Sequence, residues 1–305
     1  MSRLPPVPAL APPVPSCSCA RARGAPRRRL FTTLLLATGA APLLGGAGRS
    51  LAAEPECKRS RAADLVPAAQ IEGAAQQQYL QLVREAQSKN ALAAAGDAQL
   101  ERLRYIARRI IPLTLSCNER AREWRWEVQL VRSNALNAFC MPGGKIAFFS
   151  GILSRLKLSD DEVAVIMGHE IAHALLEHAR ERMAKSAGTS LGLRLLSALF
   201  GLGNLGDLAA QYGSQLLSLK FSRDDEGEAD ALGLLLAARA GYDPRAGVSL
   251  WQKMAAASAG KAPPAWLSTH PAGPERIKEI EQRLPRTLPE FRRAAPPERR
   301  FPSAA

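Results

Sequence analysis

Ser159-Asp160-Asp161-Glu162-Val163-Ala164-Val165-Ile166-Met167-Gly168-His169-Glu170-Ile171-Ala172-His173-Ala174-Leu175-Leu176 is the stretch on which the reading of this chain turns. Ser159 followed by three acids is a helix start, with a capping serine and negative charge facing the helix dipole. The spacing predicts a helix from there to about Lys185. His169 and His173 are four apart, so they share one face and both imidazoles can reach one metal ion. Glu170, next to His169, can reach a water at that metal as a general base. Gly168 leaves room for close approach by backbone or substrate. Apolar residues surround the motif on nearly every side, so the helix is expected to be buried. Two buried histidines and a buried glutamate need partners, and a metal satisfies all three.

A third protein donor must come from elsewhere. A histidine six residues after His173 is ruled out, because Ala179 stands there. A glutamate about twenty residues downstream is ruled out too, since no acid lies between Glu181 and Asp207. The next cluster is Ser222-Arg223-Asp224-Asp225-Glu226-Gly227-Glu228-Ala229-Asp230, which opens another helix. Glu226 and Asp230 share a face, so one can bind the metal while the other orients a ligand imidazole. Spacing does not say which, and an acidic helix start also occurs on ordinary solvated helices. The chain has four histidines. His178 falls about 140° off the ligand face at 3.6 residues per turn, which points to the surface or to a place behind the ligands. His270, in Ser268-Thr269-His270-Pro271, reads by itself as an exposed loop residue.

Composition narrows the function classes. The 305 residues carry 41 Lys+Arg and 28 Asp+Glu, a formal charge of +13. Seven of those positive charges are arginines in residues 1–53, which contain no acid, and residues 285–305 add five Arg against two Glu. The remainder is near +3 (29 Lys+Arg against 26 Asp+Glu), so a nucleic-acid partner is not expected. Arg27-Arg28-Arg29 precede the apolar run that begins at Leu30, and small residues follow at Ser50 to Ala53. Residues 1–53 therefore read as a secretory signal peptide, with Arg28-Arg29 resembling a twin-arginine type and an uncleaved anchor as the rival. The expected location is the periplasm. Export would place Cys57, Cys117 and Cys140 in an oxidising compartment, where Cys57 and Cys117 either pair or stay as buried thiols.

The expected fold is α+β and mostly helical, with a small β-sheet beside the His169–His173 helix. Helices are predicted from Asp64 to about Ala95 and after Asp97 as far as Ile110, two or three more between Asp207 and Ala257, and one from Pro274. Strands are predicted at Trp126 to Val131 and Lys145 to Phe149, on either side of a Pro142-Gly143-Gly144 turn. Gly188 to Gly206 suits a lid or a short hairpin. Residues 54–284 read as one domain, followed by a disordered basic tail at 285–305.

Four segments taken together resemble one family. They are Asn137-Ala138-Phe139-Cys140-Met141-Pro142-Gly143-Gly144, the His-Glu-x-x-His helix, Ser222 through Glu226 to Asp230, and Ser268-Thr269-His270-Pro271 with Arg276-Ile277. This order is similar to that of the zinc metallopeptidases typified by the CAAX prenyl endopeptidase, the heat-shock membrane protease HtpX and the periplasmic BepA-type proteases. The resemblance implies a zincin-like domain with one Zn2+ held by His169, His173 and Glu226, and Glu170 as base. It implies Asp230 behind the ligands, Arg276 supporting the site, and His270 contacting substrate or stabilising the transition state. It also implies an extended substrate pairing along Asn137, Ala138, Phe139, Cys140, Gly143 and Gly144. Cys140 departs from the family pattern, where an aliphatic residue is usual. The implied function is hydrolysis of unfolded or mislocalised envelope proteins, with peripheral membrane contact left open. A latent zinc-binding chaperone or scaffold, plugged by residues 188–206, is the alternative.

Overall fold

The computed structural model describes residues 57–186, 219–258, 265–270 and 274–304. The signal expected in residues 1–53 and the lid expected at 188–206 lie outside them. The described residues belong to one compact unit, Leu51–Ala305. Their elements are α1 (Ala68–Ser88), α2 (Ala98–Ile110), β1 (Glu127–Val131), β2 (Ala138–Met141), β3 (Lys145–Phe149), α3 (Ser150–Arg155), α4 (Asp160–Leu175), α5 (His178–Ser186), α6 (Arg223–Arg239), α7 (Ala246–Ser258), α8 (Ala265–Thr269) and α9 (Pro274–Arg293). The chain is mostly helical with one small sheet.

Helix α4 is the central element, and every residue from Glu162 to Leu175 is buried. Its start is locally determined. The Ser159 hydroxyl accepts from the Glu162 amide and the Glu162 carboxylate accepts from the Ser159 amide, a capping box. Asp160 in the first turn is paired with the fully buried Arg102 of α2 at 2.6 Å, and Arg102 also donates to the Leu158 carbonyl at 2.7 Å. Against α4 pack α2, α6, α7 and β2.

The sheet order is β1-β3-β2. The tight turn lies between β2 and β3, which pair antiparallel, while β1 runs parallel to β3. The two strands read from the sequence thus pair parallel, and the glycine turn joins β3 to a further strand, β2, on its other side. The turn uses Gly143 and Gly144 at φ of 84° and 77°, backbone that only glycine adopts without strain. This leaves β2 as an edge strand beside α4.

Two features depart from expectation. The helix read as running to Lys185 ends at Leu175, because Glu177 takes φ 59° and the chain turns before α5. Buried Glu177 is held there by Arg180 and by Arg59 at 3.0 Å. The tail after Leu284 is also ordered, against its composition. Helix α9 continues through Pro285 and Pro289, whose missing amides would ordinarily interrupt it. The Thr287 hydroxyl donates to the Arg283 carbonyl, and Glu290 pairs with Arg239 of α6 at 3.2 Å. Further on, the Phe301 amide donates to Asp160 and Arg300 pairs with Asp161, both at 2.8 Å. Tertiary contacts hold a segment whose composition suggests disorder. At the other end, Cys57 and Cys117 form a disulfide and Cys140 is a buried free thiol.

The crossing of α4 and α6 is set by two glycines. A Cβ on Gly168 would stand 2.5 Å from the Gly233 carbonyl oxygen, and one on Gly233 would stand 2.6 Å from the His169 amide. Both contacts are to backbone, so no rotamer relieves them. Gly233→Ala is expected to push the helices apart, lower stability by about 1–3 kcal/mol and weaken metal binding in the same variant. Thermal unfolding read beside metal titration checks both.

Candidate metal centre

Four buried side chains converge between α4, α6 and the turn after α8. His169, His173, Glu226 and His270 each present one donor atom, and these atoms lie within 4.8 Å of one another. The His169 and His173 Nε2 atoms are 3.0 Å apart. Glu226 Oε1 is 3.5 Å from His173 Nε2, and Oε2 is 3.6 Å from His169 Nε2. His270 Nδ1 is 2.9 Å from Glu226 Oε1 and 3.2 Å from His169 Nε2. Nitrogen and carboxylate oxygen donors converging in this way fit zinc.

The two acids of α6 take different places. Glu226 points into the cluster, whereas Asp230 sits behind it with Oδ1 3.0 Å from His169 Nδ1. Arg276 binds both acids, donating to Asp230 at 2.7 and 2.9 Å and to Glu226 in a short contact. Its guanidinium also stacks on Trp251 at 3.9 Å. Burial alone would raise the Glu226 carboxyl, but hydrogen bonds to His173 and His270 hold it far below the usual carboxylate range. Burial opposes ionisation of Asp230 too, and the Arg276 charge outweighs it. Desolvation keeps His173 well below its ordinary value, the neutral form a metal requires. His270 is pushed the other way, because the charges of Glu170 and Glu226 overcome its burial.

Glu170 stands beside the cluster on the cleft side. Its Oε1 accepts from the Trp266 indole at 2.6 Å and lies 3.5 Å from His270 Nε2. The cleft is lined by residues 137–142, by Glu170, His173, Ala174 and Ala179, and by Leu219, Phe221, Thr269 and His270. Asn137, Ala138, Phe139 and Cys140 therefore face the site. Gly143 and Gly144 do not line it, because they form the β2–β3 turn against Glu72 and Trp126. The Cys140 thiol is pushed well up by burial and fills its place as a small apolar group.

Four residues take places that the sequence misreads, leaves open or gives no sign of. His270 is buried, not exposed, because α8 carries it under Phe221 and against Trp266. Of the two places open to His178, the surface or behind the ligands, it takes the second: it is buried, with Nδ1 2.8 Å from His173 Nδ1. The 140° offset assumed an unbroken helix, and the turn at Glu177 swings His178 back. Trp266 and Phe221, which stacks on His173 at 4.0 Å, were not singled out. A lone aromatic outside a periodic pattern carries no signal for the site it will meet.

A buried helix bearing two imidazoles and a carboxylate, crossed by a second helix that supplies a further carboxylate, defines a zincin-like centre. The sequence profile described as Peptidase family M48 matches residues 98–284, more than half of the chain. The chain belongs to peptidase family M48. It is 41% identical over 157 residues to the mitochondrial metalloendopeptidase OMA1 of Arabidopsis thaliana, covering 52% of this chain and 31% of that protein. With OMA1 of Schizosaccharomyces pombe it shares 40% identity over 164 residues, covering 53% of this chain and 47% of that protein. It is 29% identical over 208 residues to the metalloprotease LoiP of Escherichia coli, covering 67% of this chain and 78% of LoiP. The chain thus spans less than half the length of the two OMA1 relatives.

These likenesses overturn the expected periplasmic location, since both OMA1 relatives are mitochondrial proteins. The arginine-rich, acid-free composition of residues 1–53 fits organellar transit peptides as well as bacterial signals, so the charge pattern does not discriminate between compartments.

Proposed function

We propose that this chain is a zinc-dependent endopeptidase that cleaves unfolded or extended polypeptides, as in protein quality control. The observation that carries the reading is the meeting of Glu170 with the donor set of His169, His173 and Glu226 at one end of a cleft bordered by the edge strand β2. Three protein ligands leave one coordination position for a reactant, the arrangement of catalytic rather than structural zinc. One ion per chain is proposed. When bound, zinc supplies Lewis-acid polarisation of the scissile carbonyl and lowers the pKa of a water towards ~7.

The chain's own groups do the rest. Among the described residues strand β2 stands at the edge of the sheet, where an extended substrate can pair with it, which fits an unfolded polypeptide better than a folded one. Glu170 takes the proton of the attacking water and returns it to the leaving amine. The Trp266 indole donates to Oε1 of that carboxylate and fixes its orientation in the cleft. His270, beside Glu170, stabilises the developing oxyanion. Asp230 and Arg276 hold His169 and Glu226 in register. Among the described residues no helix is long and apolar enough to cross a membrane.

Casein cleavage by the purified chain tests the reading. Activity is expected to vanish with a chelator and return with zinc. His270→Ala is expected to keep its zinc and lose about 10²–10³-fold in turnover. Loss of zinc from that variant would make His270 a ligand instead. Casein left intact by the zinc-loaded chain would reject the protease reading.

A further inference from the structure

The two ligand imidazoles are held from behind in different ways. His169 Nδ1 faces a buried carboxylate, Asp230, at 3.0 Å. His173 Nδ1 faces a second imidazole, that of His178, at 2.8 Å. The other nitrogen of His178, Nε2, lies 3.3 Å from Glu228 Oε2. The His178 side chain is 1% exposed and that of Glu228 is 58% exposed, so the row runs from the metal centre to solvent.

Proton accounting makes this row directional. Two Nδ1 atoms 2.8 Å apart cannot both carry hydrogens, and two bare lone pairs would repel. Because His173 turns Nε2 into the donor cluster, binding an ion there requires the lone pair on Nε2 and leaves the proton on Nδ1. His178 Nδ1 must then accept, which places the His178 proton on Nε2, facing the Glu228 carboxylate. The rings meet edge to face at 74°, and Phe221 stacks on His173 to block rotation. The device depends on the break at Glu177, without which His178 would point away.

We propose that His178 is a positioning residue that fixes the tautomer and orientation of His173 towards the metal, with Glu228 fixing His178 in turn. A ligand imidazole that donates its far N–H to a neutral acceptor is a better electron donor to the ion than an unsupported one. This proposal rests on the metal reading above.

The test uses the full chain and measures zinc affinity by chelator competition in the parent, His178→Leu and His178→Asn. Leucine keeps apolar bulk and loses the acceptor. Asparagine puts an amide oxygen near the position of Nδ1. Zinc binding should weaken about 10–100-fold in His178→Leu and recover to within about threefold of the parent in His178→Asn. A role in packing alone would not be rescued by asparagine. Equal affinity in parent and His178→Leu, or equal losses in both variants, overturns the relay. A parent that takes up no zinc overturns the metal reading itself. Should His178→Leu not fold, nitrogen-15 spectra of the zinc-loaded parent decide. They are expected to show His173 protonated on Nδ1 and His178 on Nε2, and the reverse assignment rejects the proposal.

Discussion

Glu170→Gln is expected to retain zinc and lose casein cleavage by about 10³-fold or more. The substitution preserves the shape of the side chain and the hydrogen bond from the Trp266 indole, because the amide oxygen can still accept it. Neither the ligand set nor the α4 core changes. What disappears is the capacity to take a proton from water and pass it to the leaving amine. An amide cannot do either at neutral pH, and among the described residues no other carboxylate lines the cleft. Metal analysis beside a turnover assay separates the two effects. Parent-like cleavage by the variant would remove Glu170 from the mechanism.

The second large effect is expected at Glu226. Glu226→Gln removes one charged donor and leaves the Arg276 guanidinium with less negative charge about it. Structural zinc held by four protein ligands is bound by roughly 10–16 kcal/mol, about 3 kcal/mol per ligand, so loss of one of the three proposed here is expected to cost about two orders of magnitude in affinity. Activity should fall with the metal and be regained in part at high zinc. The metal-free chain should also lose stability, since a buried ion pair that loses one partner costs about 3–5 kcal/mol when the remaining charge stays unpaired. Asp230 continues to bind Arg276 in the variant, so the loss is expected at the low end of that range. The pH dependence has a definite sign. Glu226 and Asp230 are both held below the usual carboxylate range. Their contribution is present above about pH 4, where the unfolded chain is ionised, and is lost as pH falls through their lower folded values. Zinc titration and acid unfolding of parent and Glu226→Gln measure these effects. An unaltered zinc affinity would exclude Glu226 as a ligand.

Cases of agreement and disagreement divide along one line. The start of α4, the burial of its whole circumference and the common face of His169 and His173 are local properties. Capping chemistry and the 3.6-residue period fix them before any other element arrives. The same holds for the acid-rich start of α6 and for the glycine turn beside β2. Relations between elements are a different matter. Glu226 and Asp230 lie on one face at helical spacing, and the close α4–α6 crossing at Gly168 and Gly233 decides that Glu226 reaches the donor cluster while Asp230 stands behind His169. Periodicity carried past Leu175 sends His178 outward, and the left-handed turn at Glu177 brings it back beneath His173. Proline and arginine after Leu284 suggest disorder, and contacts with Asp160, Asp161 and Arg239 order the segment.

The sequence by itself therefore determined the metal-binding helix, the residue types of the centre and the family they belong to. Local chemistry suffices for these, because neighbouring residues on a helix cannot change their relative positions. The tertiary structure decided which carboxylate enters the donor cluster, that His270 is buried there, and which groups stand behind each imidazole of α4. Those outcomes depend on how closely two backbones approach and where a helix breaks, and neither is written in the period of a single segment.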